Sequence, residues 1–303
     1  MKVTAITVFC DGNEHIGDWE RGIETNWADL QRYNAENGTD NSFEVVLIND
    51  SPGVQPRLTG VFISNRCVKI VANRKHMGLH ASRIRSLEEA TGDYLIFLDQ
   101  NDELQADAVV SFLAAASGAA EEAGLAVSPR VVISNLLCER KGRLLPWYDS
   151  YAYRRYVWSL PAWLDLGARV RTSSQCMIAR SLIPDLWKQV VLATDGGDFS
   201  FLCLLLMEAG IGETYVEAPL VRRFVPDDFI DAEVSDAAAG EIIPVLRDEG
   251  ILPEAALSRM KAGIAFRNAM RKTDIIGRFG QLFVHPILFA KNAAFRLSVA
   301  QKN

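Results

Sequence analysis

Residues 92–104 have the sequence GDYLIFLDQNDEL, which carries the strongest structural signal in the chain. The apolar run Tyr94–Leu98 predicts a buried strand, and it ends abruptly in four polar residues, Asp99, Gln100, Asn101 and Asp102. In an open α/β sheet, ligands bind in the crevice outside the carboxyl ends of the strands. Acidic side chains at this point therefore predict a ligand-binding site. Capping of the following helix is the alternative, but a cap needs only one such residue.

Strand-like and helix-like segments alternate on both sides of this motif. Such alternation predicts βαβ units, hence an α/β fold with a mostly parallel sheet and helices on both faces. The predicted strands are Val3–Cys10, Phe43–Ile48, Cys67–Ala72, Tyr94–Leu98, Val131–Leu137, Cys176–Ala179 and Val216–Val221. The predicted helices are Ile16–Tyr33, Leu79–Ala90, Ala106–Ala123 and Asp198–Ala209, with one more between Pro226 and Pro253.

The composition is that of a soluble globular protein, with 303 residues, 49 % of them hydrophobic and 23 % charged. The five cysteines form no CxxC pair and no metal-binding spacing, so reduced thiols and a cytoplasmic location are expected. The chain starts with a short strand pattern and lacks the features of a signal peptide.

Charge divides the chain into an acidic body and a basic tail. From residue 255 onward there are nine basic residues and one acid, a net charge of +8, so the total of −6 leaves −14 on residues 1–254. We expect three segments: a catalytic-type domain over 1–225, an acidic connector with a helix over 226–258, and a basic amphipathic helical tail over 259–303. A basic tail favours an anionic membrane surface as partner. No nucleic-acid partner is expected.

The tail places apolar residues on one helical face, namely Ile275, Ile276, Phe279, Leu282 and Phe283. The longest uncharged stretch, Phe279–Ala290, has 12 residues, which is short of the ~20 needed to cross a bilayer. The pattern therefore predicts a helix lying on the inner face of a membrane. The alternative is a terminal helix that packs on its own domain or on a second subunit in a homo-oligomer.

Four segments together resemble the family 2 glycosyltransferases, which have the GT-A fold. They are VTAITVFCDGN (3–13), FEVVLINDSPG (43–53), NRKHMGLHASRIRSLEEATGDYLIFLDQNDEL (73–104) and GGDFSFLCLLLMEAG (196–210). The resemblance covers about residues 1–225 and implies an inverting enzyme that uses a nucleotide-sugar donor. No GxGxxG follows the first strand, which counts against a dinucleotide-binding dehydrogenase.

The resemblance implies a donor-binding set of Asp50, Arg83, Asp99 and Asp11. Asp50 matches the family's base-binding Asp, and a carboxylate accepts the imide N–H of uracil or thymine, which favours a UDP- or dTDP-sugar. Arg83 matches the arginine that faces the diphosphate, and Asp99 matches the acid that contacts the ribose. For Asp50 the alternative is a turn residue ahead of Ser51 and Pro52.

The same resemblance implies a Mn²⁺ or Mg²⁺ site at the third position of the acidic motif. That position is the neutral Asn101, a weaker ligand for a hard cation than a carboxylate, so Asp102 is the candidate for the missing charge. A route without metal would use Arg222 and Arg223, whose charge could stabilise the departing diphosphate. A surface basic pair is the alternative for these two arginines.

Asp198 matches the family's catalytic base, which takes the proton from the acceptor hydroxyl. The family more often has Glu-Asp here, and Gly197 replaces the Glu. The alternatives are that Asp198 only caps its helix, or that Asp195 is the base.

The aromatic stretch 146–163 offers Trp147 and Tyr148 as acceptor contacts, because exposed aromatic rings stack on sugars. Packing of the stretch into the core is the alternative. With the basic tail, these features suggest a glycan or lipid-linked acceptor in the assembly of bacterial surface polysaccharide. Two other functions stay open at this point: a binding or scaffold module that has lost catalysis, motivated by Asn101 and Gly197, and a sugar nucleotidyltransferase.

Overall fold

The computed structural model describes residues 1–10, 12–59, 67–122, 130–140, 143–148, 156–224, 231–272 and 275–300. These residues form two compact units that interleave along the chain. The first unit takes residues 1–147, 172–195 and 211–224, and the second takes residue 148 with 156–171, 196–210 and 231–300. The three-segment division expected from the sequence stays a prediction.

All nine strands of the described residues lie in the first unit and form one sheet. Their order across the sheet is β3-β2-β1-β4-β8-β6-β9-β5, and β7 pairs with β6. The strands are β1 (Lys2–Phe9), β2 (Ser42–Asn49), β3 (Val68–Ala72), β4 (Tyr94–Phe97), β5 (Asp102–Leu104), β6 (Val131–Arg140), β7 (Arg143–Pro146), β8 (Cys176–Ala179) and β9 (Glu213–Arg223).

The sheet is mostly parallel. Strands β1 to β4 are parallel to one another, β8 is antiparallel to β4, and β6 is antiparallel to β8, so β6 runs with β4. Strand β9 is parallel to β6, while β5 and β7 are antiparallel to β9 and β6. Strands β1 to β4, β6 and β9 thus share one direction. Every residue of β4 is buried, as expected of a parallel strand covered on both faces.

Helices cover both faces of the sheet. In the described residues the helices are α1 (Ile16–Asn37), α2 (Leu79–Glu89), α3 (Ala108–Glu122), α4 (Leu160–Leu166), α5 (Asp185–Gln189), α6 (Gly197–Glu208), α7 (Asp231–Asp248), α8 (Glu254–Lys272), α9 (Ile275–Val284) and α10 (Pro286–Ala300). On one face, Tyr94 and Ile96 of β4 share a core with residues of α1 and α3. On the other face, Phe97 contacts Arg83 of α2 and Trp187 of α5. The expected α/β architecture is confirmed.

The second unit is a group of helices tied together by two acids whose carboxylate side chains are almost fully covered. Asp165 of α4 accepts hydrogen bonds from Arg259 of α8 and from Lys291 of α10. Asp236 of α7 pairs with Arg267 of α8, with 2.6 Å between Nη2 and Oδ1. Burial raises the pKa of Asp165, but the bonds from Arg259 and Lys291 outweigh it and hold that pKa below its ordinary value. Several basic residues of the tail are therefore used within the protein.

The predicted elements correspond to observed ones, usually within a few residues at each end. Among the described elements that were missed are the short strand β5, which begins inside the polar motif, the edge strand β7, and the short helices α4 and α5. Strand β5 was missed because its residues Asp102, Glu103 and Leu104 include two acids, which are poor strand formers. In the part of the chain described, no helix is both long enough and apolar enough to cross a membrane.

Candidate active site

Three parallel strands deliver chemically active residues to one edge of the sheet. Strand β1 lies between β2 and β4, and Phe9 at its end is in register with Asn49 at the end of β2. Cys10 and Asp50 are the next residues after these two strands, and Asp99 follows β4. The carboxyl ends of adjacent parallel strands meet at the same edge, so the sequence positions alone bring these residues together.

Gln100 joins the polar motif to the end of β1. Its amide side chain donates to the carbonyl oxygen of Cys10 at 2.8 Å and accepts from the backbone N–H of Cys10 at 2.9 Å. Both backbone groups of Cys10 are thereby fixed by one side chain. The polar motif thus holds the end of β1 in place as well as presenting acids.

Asp99 and Arg83 form an ion pair within the first unit. Nη2 of Arg83 donates to Oδ1 of Asp99 at 2.7 Å and to Oγ of Ser173 at 2.8 Å. The guanidinium is buried and its carbon lies 5.4 Å from the centroid of the Phe97 ring. Asp99 keeps 33 % of its side chain exposed, so a carboxylate held by a buried cation is accessible at the sheet edge.

A hydroxyl-rich turn supports this pair. Thr172 Oγ1 lies 3.1 Å from Oδ2 of Asp99 and also donates to Oδ2 of Asp102 at 2.5 Å. Ser174 Oγ donates to the same Asp102 oxygen at 2.6 Å. The turn is a 3-10 helix over Ser173–Gln175, and Thr172 and Gln175 cap it reciprocally. The sequence reasoning missed these residues, although the capping-box pattern TSSQ ahead of a strand was a usable signal.

Asp102 is an enclosed carboxyl at the start of β5. Its side chain is buried, and burial raises its pKa to about 6; the charge of Asp99 raises it as well, whereas Arg223 and the hydroxyls of Ser174 and Thr172 lower it. Its assignment as a cation ligand stays a prediction. In this structure one of its oxygens is engaged by two hydroxyls.

Asp50 is fully buried, and contacts from residues 73–78 surround its carboxylate. Oδ1 accepts from Asn73 Nδ2 at 2.6 Å and from the N–H of Met77 at 2.8 Å, and Oδ2 accepts from the N–H of Gly78 at 2.9 Å. Gly78 has a φ of +87°, a conformation that favours glycine, and it immediately precedes α2. Asp50 therefore fixes the start of the helix that carries Arg83.

The fourth contact of Asp50 is an exposed side chain. Nδ1 of His76 lies 3.1 Å from Oδ2 of Asp50, and 66 % of the His76 side chain is exposed. Cys10, Asp50 and His76 form the group in the described residues whose possible metal-ligating atoms lie within 4.8 Å of one another. A possible metal site is thus present at the sheet edge.

Mn²⁺ or Mg²⁺ takes oxygen ligands, commonly one or two carboxylates together with substrate phosphates. Asp99 and Asn101 fit this requirement, because Asp99 is partly exposed, Asn101 is exposed, and both follow β4. The protein ligands available to such an ion are therefore one carboxylate, Asp99, and one amide, Asn101, because Asp102 is enclosed.

Arg222 and Arg223 are the last residues of β9, whereas the sequence placed them after that strand. They pair across the ladder with Glu103 and Asp102 of β5. Arg222 lies over the ring of Phe224, 4.5 Å from its centroid, and its Nη1 is 4.0 Å from Oε2 of Glu103. The charge of Arg223 acts on Asp102 and so lies on the side of the polar motif.

Asp198 belongs to the second unit and is fully buried in the first turn of α6. The N-cap of that helix is Gly196, so the cap alternative for Asp198 is wrong. The charge of Asp198 adds to burial in raising the pKa of Cys203, one turn further along the helix. The rival Asp195 lies in the first unit, where Oδ1 accepts from the N–H of Leu79 at 3.3 Å.

The predicted acceptor contacts lie among core residues. Trp147 packs against the core of the first unit, and Tyr148 is buried in the second, where its hydroxyl donates to the carbonyl of Arg169 at 2.8 Å. Their role toward an acceptor stays a prediction. Asp11 lies outside the described residues.

The sequence profile of glycosyl transferase family 2 matches residues 20–185, more than half of the chain. The chain belongs to glycosyl transferase family 2. It is therefore a glycosyl transfer enzyme, and the scaffold and nucleotidyltransferase alternatives give way to this assignment. No curated protein matches its sequence significantly.

Solved structures confirm the GT-A fold of this family 2 member. TarS 1–349 from S. aureus superposes with a TM-score of 0.53 at 15 % identity, covering 99 % of this chain and 81 % of that one. The complex of TarS 1–349 with UDP-GlcNAc gives 0.52 at 13 % identity, with 99 % and 82 % covered. The mannosyltransferase PcManGT from Pyrobaculum calidifontis, in complex with GDP-Man and Mn²⁺, gives 0.50 at 16 %, with 99 % and 86 % covered.

Proposed function

We propose that the protein is an inverting glycosyltransferase that transfers a sugar from a nucleotide diphosphate to a hydroxyl of a glycan or lipid-linked acceptor. One observation carries the donor half of the proposal: the buried Arg83 guanidinium holds the partly exposed Asp99 carboxylate, with 2.7 Å between Nη2 and Oδ1, at the carboxyl edge of the sheet. Family membership and the nucleotide sugars bound by the structural neighbours support the donor class.

The first unit is proposed to bind the donor. Asp99 accepts the ribose hydroxyls, while Arg83 and Arg223 contribute positive charge for the diphosphate. A Mn²⁺ or Mg²⁺ ion bound with the donor would be held by Asp99, Asn101 and the donor phosphates, and would neutralise charge on the departing diphosphate.

Asp50 is proposed to read the base through its Oδ2 atom. Three of its contacts come from the chain interior or backbone, whereas the contact with His76 comes from an exposed side chain. An imide N–H of uracil or thymine could replace His76 at that oxygen, because a carboxylate accepts such a donor. We therefore favour UDP- or dTDP-sugars over GDP-sugars, although the neighbours include binders of both UDP-GlcNAc and GDP-Man.

Asp198 is proposed as the catalytic base. Its carboxyl lies in the first turn of α6, in a segment that carries the family resemblance. In the transfer step, the acceptor oxygen attacks the anomeric carbon, the bond from that carbon to the donor diphosphate breaks with its electron pair, and the acceptor proton passes to Asp198.

The donor proposal is tested with the full chain and a panel of UDP, dTDP, GDP and UMP, each with and without Mn²⁺. A diphosphate at 100 times its Kd stabilises the native state by about 2.7 kcal/mol, which raises the melting temperature by a few degrees. We expect the largest shift with UDP or dTDP, followed by slow release of UDP from a UDP-sugar. Absence of a shift with every diphosphate, together with no turnover of any nucleotide sugar, would overturn the proposal.

We further propose peripheral membrane association through the end of α9 and the start of α10, consistent with a lipid-linked acceptor in surface polysaccharide assembly. Phe283, Val284 and Ile287 are 85 %, 66 % and 69 % exposed, and so form an apolar patch in a basic tail. Apolar side chains beside positive charge are the features of helices that lie in an anionic bilayer surface.

Point variants test this patch better than truncation, because removal of residues 259–303 would also remove the Arg259 and Lys291 partners of Asp165. We expect the double variant Phe283→Ser/Ile287→Ser to bind anionic vesicles at least tenfold more weakly. Val191→Ser, which changes an exposed residue of the first unit, is the control. Equal vesicle binding by all three proteins would exclude the patch as the membrane contact.

A further inference from the structure

A thiol, an imidazole and a carboxylate converge at the sheet edge, and this set differs from the oxygen ligands that Mn²⁺ and Mg²⁺ prefer. The members are Cys10 after β1, Asp50 after β2 and His76 just before α2, with ligating atoms within 4.8 Å of one another. We propose that they form a binding site for a borderline-soft divalent cation of the Zn²⁺ type, and that an ion bound there blocks the nucleotide base from Asp50. The blocking part rests on the proposed function.

The three metal ligands, a thiol, an imidazole and a carboxylate, determine which class of ion binds. Thiolate and imidazole are ligands for Zn²⁺ and Co²⁺, whereas Mg²⁺ and Mn²⁺ take mainly oxygen. Zn²⁺ sites with three protein ligands keep the fourth position for water or another small ligand. Three ligands of this kind are therefore sufficient for a site.

Two of the three ligands are held rigidly. The backbone of Cys10 is fixed on both sides by the Gln100 side chain, and Asp50 is fixed by Asn73, Met77 and Gly78. A carboxylate has about four lone-pair positions, and those three donors use three of them. The fourth lies on Oδ2, the oxygen that His76 approaches to 3.1 Å.

The third ligand, His76, is the most exposed of the three, and its Nδ1 contacts the backbone carbonyl oxygen of Asp50 at 3.1 Å as well as Oδ2. Metal–ligand distances of about 2.0–2.3 Å in a tetrahedral site place neighbouring ligand atoms about 3.5 Å apart, so the observed spread must contract by about 1 Å. Nδ1 of His76 already lies 3.1 Å from Oδ2 of Asp50, so the contraction falls on the distances to the Cys10 thiol. Rotation of the Cys10 side chain and of the two-thirds exposed His76 side chain can supply it without disturbing the core. Binding replaces the proton of the Cys10 thiol, so it releases acid.

An ion bound at this site would compete with the nucleotide base, because both would use the same oxygen of Asp50. Oδ2 of Asp50 is the atom proposed to accept the imide N–H of the donor base, and one lone pair cannot serve both an ion and that N–H. An ion would also hold His76 over the same oxygen. Zn²⁺ would therefore act as a competitive inhibitor of donor binding that is removed by a chelator.

Cobalt(II) titration of the full chain tests the site directly, because a cysteine thiolate bound to Co²⁺ gives a charge-transfer band in the near-ultraviolet. We expect a band that saturates at one Co²⁺ per chain, is abolished in Cys10→Ser and persists in Cys67→Ser, the matched change at another partly exposed cysteine. His76→Ala should weaken Co²⁺ binding by roughly tenfold or more, since even loss of an outer-shell partner costs 10–100-fold, whereas His15→Ala should not. Absence of the band, or its persistence in Cys10→Ser, would overturn the site.

Competition separates this inference from the donor proposal. In the unsubstituted chain, Zn²⁺ should raise the apparent Kd for UDP at least tenfold and EDTA should reverse the effect, while in Cys10→Ser Zn²⁺ should leave the Kd unchanged. If UDP does not bind at all and the cobalt band is present, the donor proposal fails and the metal site stands. If UDP and Zn²⁺ bind together without mutual effect, the blocking part is overturned.

Discussion

Nη2 of Arg83 and Oδ1 of Asp99 lie 2.7 Å apart, although the two residues are 16 positions apart in the sequence. The arginine comes from the second turn of α2, and the acid follows β4. Both lie at the rim where β1, β2 and β4 end. The pair joins the helix whose start is fixed by Asp50 to the polar motif, so the proposed donor contacts Asp50 and Asp99 are mechanically linked.

Replacement of Arg83 by Lys tests this link. Lys keeps the positive charge, but its ammonium cannot reproduce the planar guanidinium that lies over Phe97 while Nη2 donates to both Asp99 and Ser173. Hydrogen bonds to charged groups contribute about 1.5–3 kcal/mol, so we expect UDP to bind about 10–100-fold more weakly in calorimetry. Arg32→Lys, the same change at an arginine on α1 that pairs with Asp29 and Asp107, is the control. An unchanged Kd for UDP in Arg83→Lys would contradict the role of the pair.

The raised pKa of Asp102 predicts a specific pH dependence of stability. Because the folded protein binds this proton up to about pH 6, well above the ordinary Asp value, the free energy of unfolding should fall as pH rises from about 4 to about 6.5 and then level off. In Asp102→Asn this decline should be reduced, as measured by urea unfolding across that range. Asp185→Asn, at an exposed carboxyl on α5, is the control. Parallel stability curves for Asp102→Asn and the unsubstituted protein would refute this interpretation.

Thr172→Val removes the hydroxyl shared by Asp99 and Asp102 while keeping the shape of the side chain. The hydroxyl stabilises the charged form of Asp102, so its loss should raise the pKa of Asp102 further. We expect the free energy of unfolding to drop by about 1–3 kcal/mol above pH 6 and by less at pH 4. Thr39→Val, whose exposed hydroxyl donates to the half-buried Asn34, should cost far less. A pH-independent loss in Thr172→Val would show that only packing was affected.

The parallel strands of the sheet could be predicted from the sequence because the patterns that mark them are local. Buried parallel strands are continuous apolar runs, and the polar residues that follow them mark the binding edge without knowledge of the partners. Asp50 and Asp99 could thus be assigned to one edge, whereas Arg83, which lies on a helix, was assigned through the family resemblance. The contacts of Asp99 and Asp102 with the turn at 172–175 could not be assigned. Thr172 is 73 residues from Asp99 and Ser174 is 72 residues from Asp102, and nothing local in the sequence predicts that pairing.

The basic tail shows the limit of charge patterns. A surplus of Arg and Lys indicated an anionic surface, but Arg259 and Lys291 bind the buried Asp165, and Arg267 and Arg271 bind Asp236. A sequence gives the charge of each residue but not which acid lies opposite it. Part of the predicted membrane charge therefore stabilises the second unit.

Two helical glycines in that unit predict opposite effects of the same substitution. A Cβ on Gly263 of α8 would lie 2.6 Å and 2.7 Å from the carbonyl oxygens of Leu164 and Asp165, whereas a Cβ on Gly240 of α7 would meet nothing within 4 Å. We expect Gly263→Ala to lower the free energy of unfolding by about 1–3 kcal/mol through overpacking. Gly240→Ala should raise it by about 0.5–1 kcal/mol, because Ala is the better helix former. Equal effects in denaturant unfolding would show that α8 does not approach α4 this closely.

The assignment of Asp198 as base predicts a separation of turnover from donor binding. Asp198→Asn keeps the shape of a fully buried side chain but cannot take a proton, and general base catalysis contributes about 10²–10⁴-fold. We therefore expect kcat to fall by that factor while the Kd for UDP stays unchanged, since the proposed donor contacts lie on Arg83 and Asp99. Asp195→Asn, the same change three residues earlier, should retain most of kcat because its carboxylate instead contacts the N–H of Leu79 at 3.3 Å. If Asp195→Asn loses turnover and Asp198→Asn does not, the base is Asp195, and the buried position of Asp198 at the start of α6 serves the helix alone.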